Sequence, residues 1–462
     1  MKKYPSIFFL FIVSLISINS RAQSDSAIIK NLFDEVLKNG KCFDDLTYLT
    51  TKIGGRLAGS PEAASAVAWG KKAMEEIQPD SVYLQECMVP HWVRGEKEFA
   101  EVFRKAGDAR RRTEVKICAL GGSIATPDTG IMAEVIEVHS LDEVAKLGRD
   151  IIKGKIVFYN RPMDVTLINT FDAYGGAVDQ RGGGANMAAS YGAVATIVRS
   201  MSNTNNDYPH TGAMRKYVDS IPKIPACAIS TNDANLLSDF LKGDKHLKFH
   251  FKMSCKTLPD EKSYNVVGEI KGTEHPEEII VFGGHLDSWE TGKGAHDDGA
   301  GVVQTIEVLR MLKQLRIRPK RTIRGVLFIN EENGLRGGLK YAELAKKNNE
   351  HHIAAIETDR GGFVPRGFGF SVKPEQFNKI LIWKPLLMPY GLCEFDTAGG
   401  GSDISPLKEM GVPQMELLPD SERYFYVHHA ATDVIENVNE RELKLGAASM
   451  GALVYLLSEY GL

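Results

Sequence analysis

From Tyr264 to the C-terminus, short apolar runs alternate with segments that carry apolar residues at helical spacing. Residues 266–270 and 279–284 read as strands. Residues 300–312 place Val302, Val303, Ile306, Leu309 and Leu312 along one helical face. Residues 324–329 form a buried strand, 335–346 a helix and 353–357 another strand. This alternation leaves few solutions. It predicts an α/β fold, a mostly parallel mixed sheet flanked by helices on both faces. Ligands of such sheets bind beyond the carboxyl ends of the strands, so chemistry is expected in the loops after residues 284, 329 and 357.

Those loops are rich in metal-ligating residue types. Gly283-Gly284-His285-Leu286-Asp287 follows the run 279–282. A His and an Asp two apart at a strand end point to one side, where the carboxylate can fix the imidazole tautomer; alone, such a pair reads more readily as structural. Ten residues on, His296-Asp297-Asp298-Gly299 opens the next helix, and a carboxylate there can bridge two cations. Asn330-Glu331-Glu332-Asn333 follows the strand 324–329. Adjacent glutamates are costly neighbours unless cations compensate them; one can bind metal while the other takes a proton from water. Glu357-Thr358-Asp359 and Tyr426-Val427-His428-His429 complete the series. His and carboxylate together suit zinc, with manganese or cobalt as chemical alternatives. The signatures H-E-x-x-H and G-x-S-x-G and a P-loop are absent. His351-His352 sits in a polar stretch and is expected to be solvated.

The chain begins with Lys2-Lys3, an apolar run over 7–18 and Ser20-Arg21-Ala22, the pattern of a cleaved export signal. Residues 1–22 are therefore read as a signal peptide, the mature protein as exported to the periplasm or beyond, and no stable membrane anchor is expected. Setting aside Lys2, Lys3 and Arg21 takes the net charge from −3 to −6. No basic stripe is visible, which argues against nucleic acid as a partner. Six cysteines without a C-x-x-C pair argue against a cysteine-only zinc site; most are expected to be small buried hydrophobes, with room for one bridge.

Residues 25–39 and 61–78 read as helices, the second capped by Ser60 with Pro61 at its first position. The glycine-rich turn 53–59 between them reads as a loop or as a wall of the active site. The segment 125–262 changes character: strand-like runs at 131–138, 155–159 and 193–198 are broken by glycine-rich loops, with a short helix at 186–191. It contains no dense His and acidic cluster. It is read as an inserted β-rich domain, leaving 23–124 and 263–462 as the catalytic domain.

Taken together, these motifs resemble the co-catalytic zinc peptidases, the family that includes bacterial aminopeptidases and glutamate carboxypeptidase II. The likeness spans nearly the whole mature chain. It is carried by Gly54-Gly55-Arg56-Leu57-Ala58-Gly59-Ser60, by Val89-Pro90-His91-Trp92-Val93-Arg94-Gly95-Glu96, by His285-Leu286-Asp287-Ser288-Trp289 and by Asp297-Asp298-Gly299. The resemblance implies two zinc ions per chain. His285 and Asp359 would hold one, Glu332 and His429 the other, and Asp297 would bridge them. His429 is preferred to His428 because it stands four residues before Asp433. Asp287 would support His285, Glu331 would be the general base and later the acid, and Asp297–Asp298 would be a cis peptide. The insert resembles a protease-associated domain through Gly154-Lys155-Ile156-Val157 and Ile224-Pro225-Ala226. One departure stands out: the family's Ser-Asp-His loop reads Ser402-Asp403-Ile404 here. Tyr424, Tyr426 or the backbone of Gly399–Gly401 would then have to stabilise the tetrahedral intermediate.

The implied reaction is hydrolysis of dipeptides or short peptides with free termini, with aminopeptidase action on longer peptides as the alternative. A glutaminyl cyclase-like acyl transfer with one metal and a catalytically dead homologue are the competing classes. The full set of His285, Asp297, Glu331, Glu332, Asp359 and His429 argues against both. A homodimer is implied by the resemblance alone.

Overall fold

The computed structural model describes residues 25–107 and 109–462; the expected signal peptide lies outside them. Among the described residues no helix is long and apolar enough to cross a membrane. The strand–helix alternation after Tyr264 produces an eight-stranded sheet in the order Ser81–Val93, Lys256–Ile270, Arg321–Phe328, His275–His285, His351–Glu357, Gln414–Pro419, Pro365–Ser371 and Glu394–Asp396. The four strands from Arg321–Phe328 to Gln414–Pro419 run parallel to one another, and antiparallel pairings flank them. This is the mixed α/β sheet expected from the sequence.

Alternation along each central strand sends side chains to two separate cores. Ile280, Phe282, Ile323 and Ile356 pack on one face beneath the helices Ala300–Gln314 and Glu440–Tyr460. Val281, Val326, Phe328 and Ala355 pack on the other, against Tyr341 of the helix Arg336–Lys347. Strands buried on both faces read as continuous apolar runs, which is why these elements were visible in the sequence. The N-terminal helix spans 25–39. Pro61–Ile77 starts as expected, with the Ser60 hydroxyl accepting the Ala63 N–H at 3.0 Å.

A second eight-stranded sheet runs in the order Ala109–Glu114, Phe99–Ala106, Lys248–Lys252, Ile131–Val138, Ile156–Tyr159, Ala195–Arg199, Ala226–Ile229 and Ile117–Ala119. Phe99–Ala106, Ala109–Glu114 and Ile117–Ala119 precede residue 125 yet bond into this sheet. Residues 256–262 fall before 263 yet pair with Ser81–Val93 in the first sheet. The helix expected at 186–191 is longer, Asp179–Ser190. Its glycines did not stop it, because Gly184 sits tightly against the Tyr159 ring and packing outweighs intrinsic propensity.

One further expectation needs correction, and one is narrowed. His352 is buried, its Nε2 accepting from the Tyr341 hydroxyl at 2.7 Å; only His351 is solvated. No disulfide forms: all six cysteines are free, and five of them are buried.

Candidate active site

The parallel strands deliver their chemistry at one edge. His285 is the last residue of its strand and lies in register with Phe328 of the next. Glu331 and Glu332 follow Arg321–Phe328 by a few residues, and Asp359 follows His351–Glu357. Asp297 comes from the loop into the helix Ala300–Gln314, across a cis Asp297–Asp298 peptide. His429 follows the one-turn helix Tyr424–Val427 and takes φ of 60°.

Five of the expected residues meet there. His285 Nε2 lies 3.2 Å from Asp297 Oδ1 and 3.5 Å from Asp359 Oδ1. His429 Nε2 lies 3.2 Å from Asp297 Oδ2 and 3.1 Å from Glu332 Oε2. Asp297 thus faces one imidazole with each oxygen. Two overlapping groups of donor atoms close enough to share an ion share Asp297: one with His285 and Asp359, the other with His428 and His429. The second group contains His428 rather than Glu332. His428 Nε2, however, is 3.7 Å from Asp297 Oδ2, farther than the Glu332–His429 approach, and its ring stacks on His429 at 3.6 Å between centroids. Glu332 gives its other oxygen, Oε1, to the Trp289 N–H at 3.2 Å. Glu332 is therefore the better directed of the two.

Both imidazoles are aimed through Nδ1. His285 Nδ1–H donates to the main-chain carbonyl of Asp287 at 2.9 Å; the Asp287 carboxylate, expected in that role, is 4.0 Å away. Its Oδ1 instead accepts the N–H groups of Asn330 and Glu331 at 2.6 and 3.1 Å, fixing the turn that carries both glutamates. His429 Nδ1–H donates to the Thr211 carbonyl at 3.2 Å, and Arg181 Nη1 donates to the same oxygen at 3.3 Å. Thr211 and Arg181 belong to the region of the second sheet, and nothing in the sequence signalled this contact. Asp433 accepts the main-chain N–H groups of His296 and Asp297 at 2.7 and 3.1 Å. Asp298 accepts those of His285 and Gly301 at 3.0 and 2.9 Å.

The balance of charge is unusual. Burial disfavours the imidazolium of His285 and of His429, yet the surrounding carboxylates outweigh it and hold both pKa values well above the ordinary one. Burial, with Asp297 beside it, pushes Glu332 up to about 8. Asp403, both of whose oxygens are buried without a hydrogen-bond partner, lies well above the carboxylate range through burial and the proximity of Glu357. Asp297 Oδ2 and Asp359 Oδ1 likewise accept no hydrogen bond. So many buried carboxylates require cations near them. Hard oxygen donors with two free Nε2 atoms form the donor set of zinc, and the residues present fit it.

Arg56 is the largest fully buried side chain. Its guanidinium donates to the carbonyls of Leu286, Gly54, Lys293 and Gly294. The glycine-rich turn is thereby a structural wall of the site. Of the two tyrosines expected to serve the oxyanion, Tyr424 is buried beside Asp297 and Asp359. The Tyr426 hydroxyl donates outward to Glu422. Gly401 packs so closely on the Glu357 carboxylate that a Cβ there would collide with it.

Residues 265–454 match the family model described as peptidase family M28. Carboxypeptidase Q of Xenopus laevis is 36% identical over 445 residues, covering 96% of this chain and 92% of that protein. The crystal structure of a peptidase M28 precursor from Shewanella amazonensis superposes with a TM-score of 0.89 at 31% identity, covering 95% of this chain and 97% of the other. A zinc aminopeptidase from Bacillus subtilis shares the fold, with a TM-score of 0.62 at 20% identity over 90% of this chain and 94% of the other. The chain belongs to peptidase family M28.

Proposed function

We propose that this peptidase is a di-zinc exopeptidase that hydrolyses dipeptides or short peptides with free termini. The observation that carries the reading is Asp297, whose two oxygens face His285 and His429 at 3.2 Å each. His285 and Asp359 would hold one ion, His429 and Glu332 the other, with Asp297 between them. When bound, two such ions lower the pKa of a water and polarise the scissile carbonyl. Glu331 is the general base: its backbone is pinned by Asp287, its side chain is half-buried, and its carboxylate accepts no hydrogen bond from any described residue. It takes the proton of the attacking water and returns it to the leaving amine. Tyr424, buried near Asp297 and Asp359, is the side chain proposed to support the developing oxyanion. The preference for short substrates with free termini rests on the similarity to carboxypeptidase Q.

Phe99–Lys252 is proposed as the inserted unit, protease-associated in type, that shapes access to the site. Export and assembly as a homodimer are further parts of the reading; sedimentation of the mature protein tests the latter. The deciding experiment pairs metal analysis with a substrate panel. About two zinc ions per chain, and turnover of a free dipeptide well above its N-blocked form, are expected. One ion per chain, or equal turnover of blocked and free substrates, would sink the proposal.

A further inference from the structure

Arg360, the residue after Asp359, lines a cavity of about 460 Å³. Its other walls include Arg366, Leu418 and Pro419, with the carboxylates of Glu394, Asp396 and Glu422. Arg360 is held from two directions. Its Nε donates to Glu416 Oε2 at 2.6 Å, and its guanidinium carbon lies over Phe171, 4.2 Å from the ring centre. Phe171 is itself stacked on Tyr424, with ring centroids 5.1 Å apart. The stem and one edge of the fork are therefore fixed. The two Nη groups, with four N–H donors between them, meet no acceptor among the described residues and face the cavity. The neighbouring cation, Arg366, is already paired with Asp420 at 2.7 Å.

A guanidinium fixed by Nε and a ring stack, with its Nη edge open, matches the geometry of a carboxylate that binds through two oxygens. We propose that Arg360 is the subsite for the C-terminal carboxylate of the substrate. The inference rests on the reading above that the substrate has a free C-terminus. Arg360 follows Asp359 directly in sequence, and Glu416, which holds its Nε, is close enough to Asp359 to feel its charge. A dipeptide presents its carboxylate one residue beyond the scissile bond, the reach such a placement would serve. A longer peptide would carry its carboxylate past Arg360 and leave an uncharged amide against it. Arg360 thus counts residues after the cleaved bond, and the enzyme favours a single one.

The test compares a dipeptide with its C-amidated form in the zinc-loaded wild type, Arg360→Gln and the double variant Arg360→Gln/Glu416→Gln. The double variant removes the buried, unpaired Glu416 charge that the single change leaves behind. The readout is the ratio of kcat/KM for free acid over amide, with inhibition by the product amino acid and its amide as a second measure. In the wild type the ratio is expected to be about 100 or more, and in both variants to fall about 100-fold, as for loss of a charged bidentate contact. Inhibition by the free amino acid should weaken in parallel. A wild-type ratio that stays high in both variants would overturn the assignment of Arg360 and leave the exopeptidase reading intact. A wild-type ratio near one would overturn both.

Discussion

Replacing Arg56 by Met keeps the volume of the side chain but removes the clamp on the loop 286–294. Four carbonyls lose their donor, and each hydrogen bond to a charged group is worth about 1.5–3 kcal/mol. The sum is not the answer, because the four share one guanidinium. The variant also relieves the desolvation of a fully buried cation, which is visible in the way burial lowers the Arg56 pKa to about 10. The net loss should resemble that of breaking a buried charged network from one side, about 3–5 kcal/mol. That is a large share of the 5–15 kcal/mol typical of a folded domain. The loss should also depend on metal. The charges of Asp433, Asp287, Asp298 and Asp297 all act on Arg56, so it matters most when no zinc offsets them. Urea unfolding of wild type and Arg56→Met, each with zinc and with chelator, measures this. A destabilisation under about 1 kcal/mol, or one no larger in chelator than in zinc, would refute the clamp and its electrostatic role.

Glu331→Gln should retain about two zinc ions while kcat falls roughly 10²–10⁴-fold; metal analysis beside a dipeptide assay checks both. His429→Ala should drop the zinc content to about one ion per chain, whereas His428→Phe, which keeps the stack, should hold about two. Dialysis against a chelator should abolish turnover and lower Tm, with zinc restoring both. His352 adds a pH signature. Burial, reinforced by Arg324, lowers its pKa from 6.5 to about 4, so it folds neutral while the unfolded chain takes up a proton below pH 6.5. Its contribution is present above that value and lost as pH falls towards 4. Between pH 7 and 5 wild type should therefore lose about 2 kcal/mol more stability than His352→Phe, read by urea unfolding at both pH values.

Much of this site could be read in the sequence because a parallel sheet puts its ligands directly after apolar strands. His285, Glu332 and Asp359 each stand within a few residues of a run that is buried on both faces. The second sheet was less legible at its start. Phe99–Ala106 carries Glu101, Arg104 and Lys105, and Ala109–Glu114 is a largely charged edge strand; such segments resemble solvated loops. The support of His285 was half legible: Asp287 was recognised, but a main-chain carbonyl at the same residue does the work and leaves no residue-type signal. Burial of Asp403 and His352 depends on packing against Glu357 and Tyr341, which no local pattern encodes. Arg181 and Thr211 touch His429 across more than 200 positions of chain.

That last contact bears on how such a chain can diverge. The group that aims His429 is the peptide carbonyl of Thr211, which every residue type offers, so the identity of residue 211 matters only through its hydroxyl. What cannot drift is the path of the backbone, held by the Thr211 N–H on the His429 carbonyl at 3.0 Å and by Arg94 Nη2 on the Thr211 hydroxyl at 3.2 Å. Exchanging the region of the second sheet for that of a relative would therefore preserve the aim of His429 only where the graft returns a carbonyl to this spot. A shorter segment there would leave His429 free to turn.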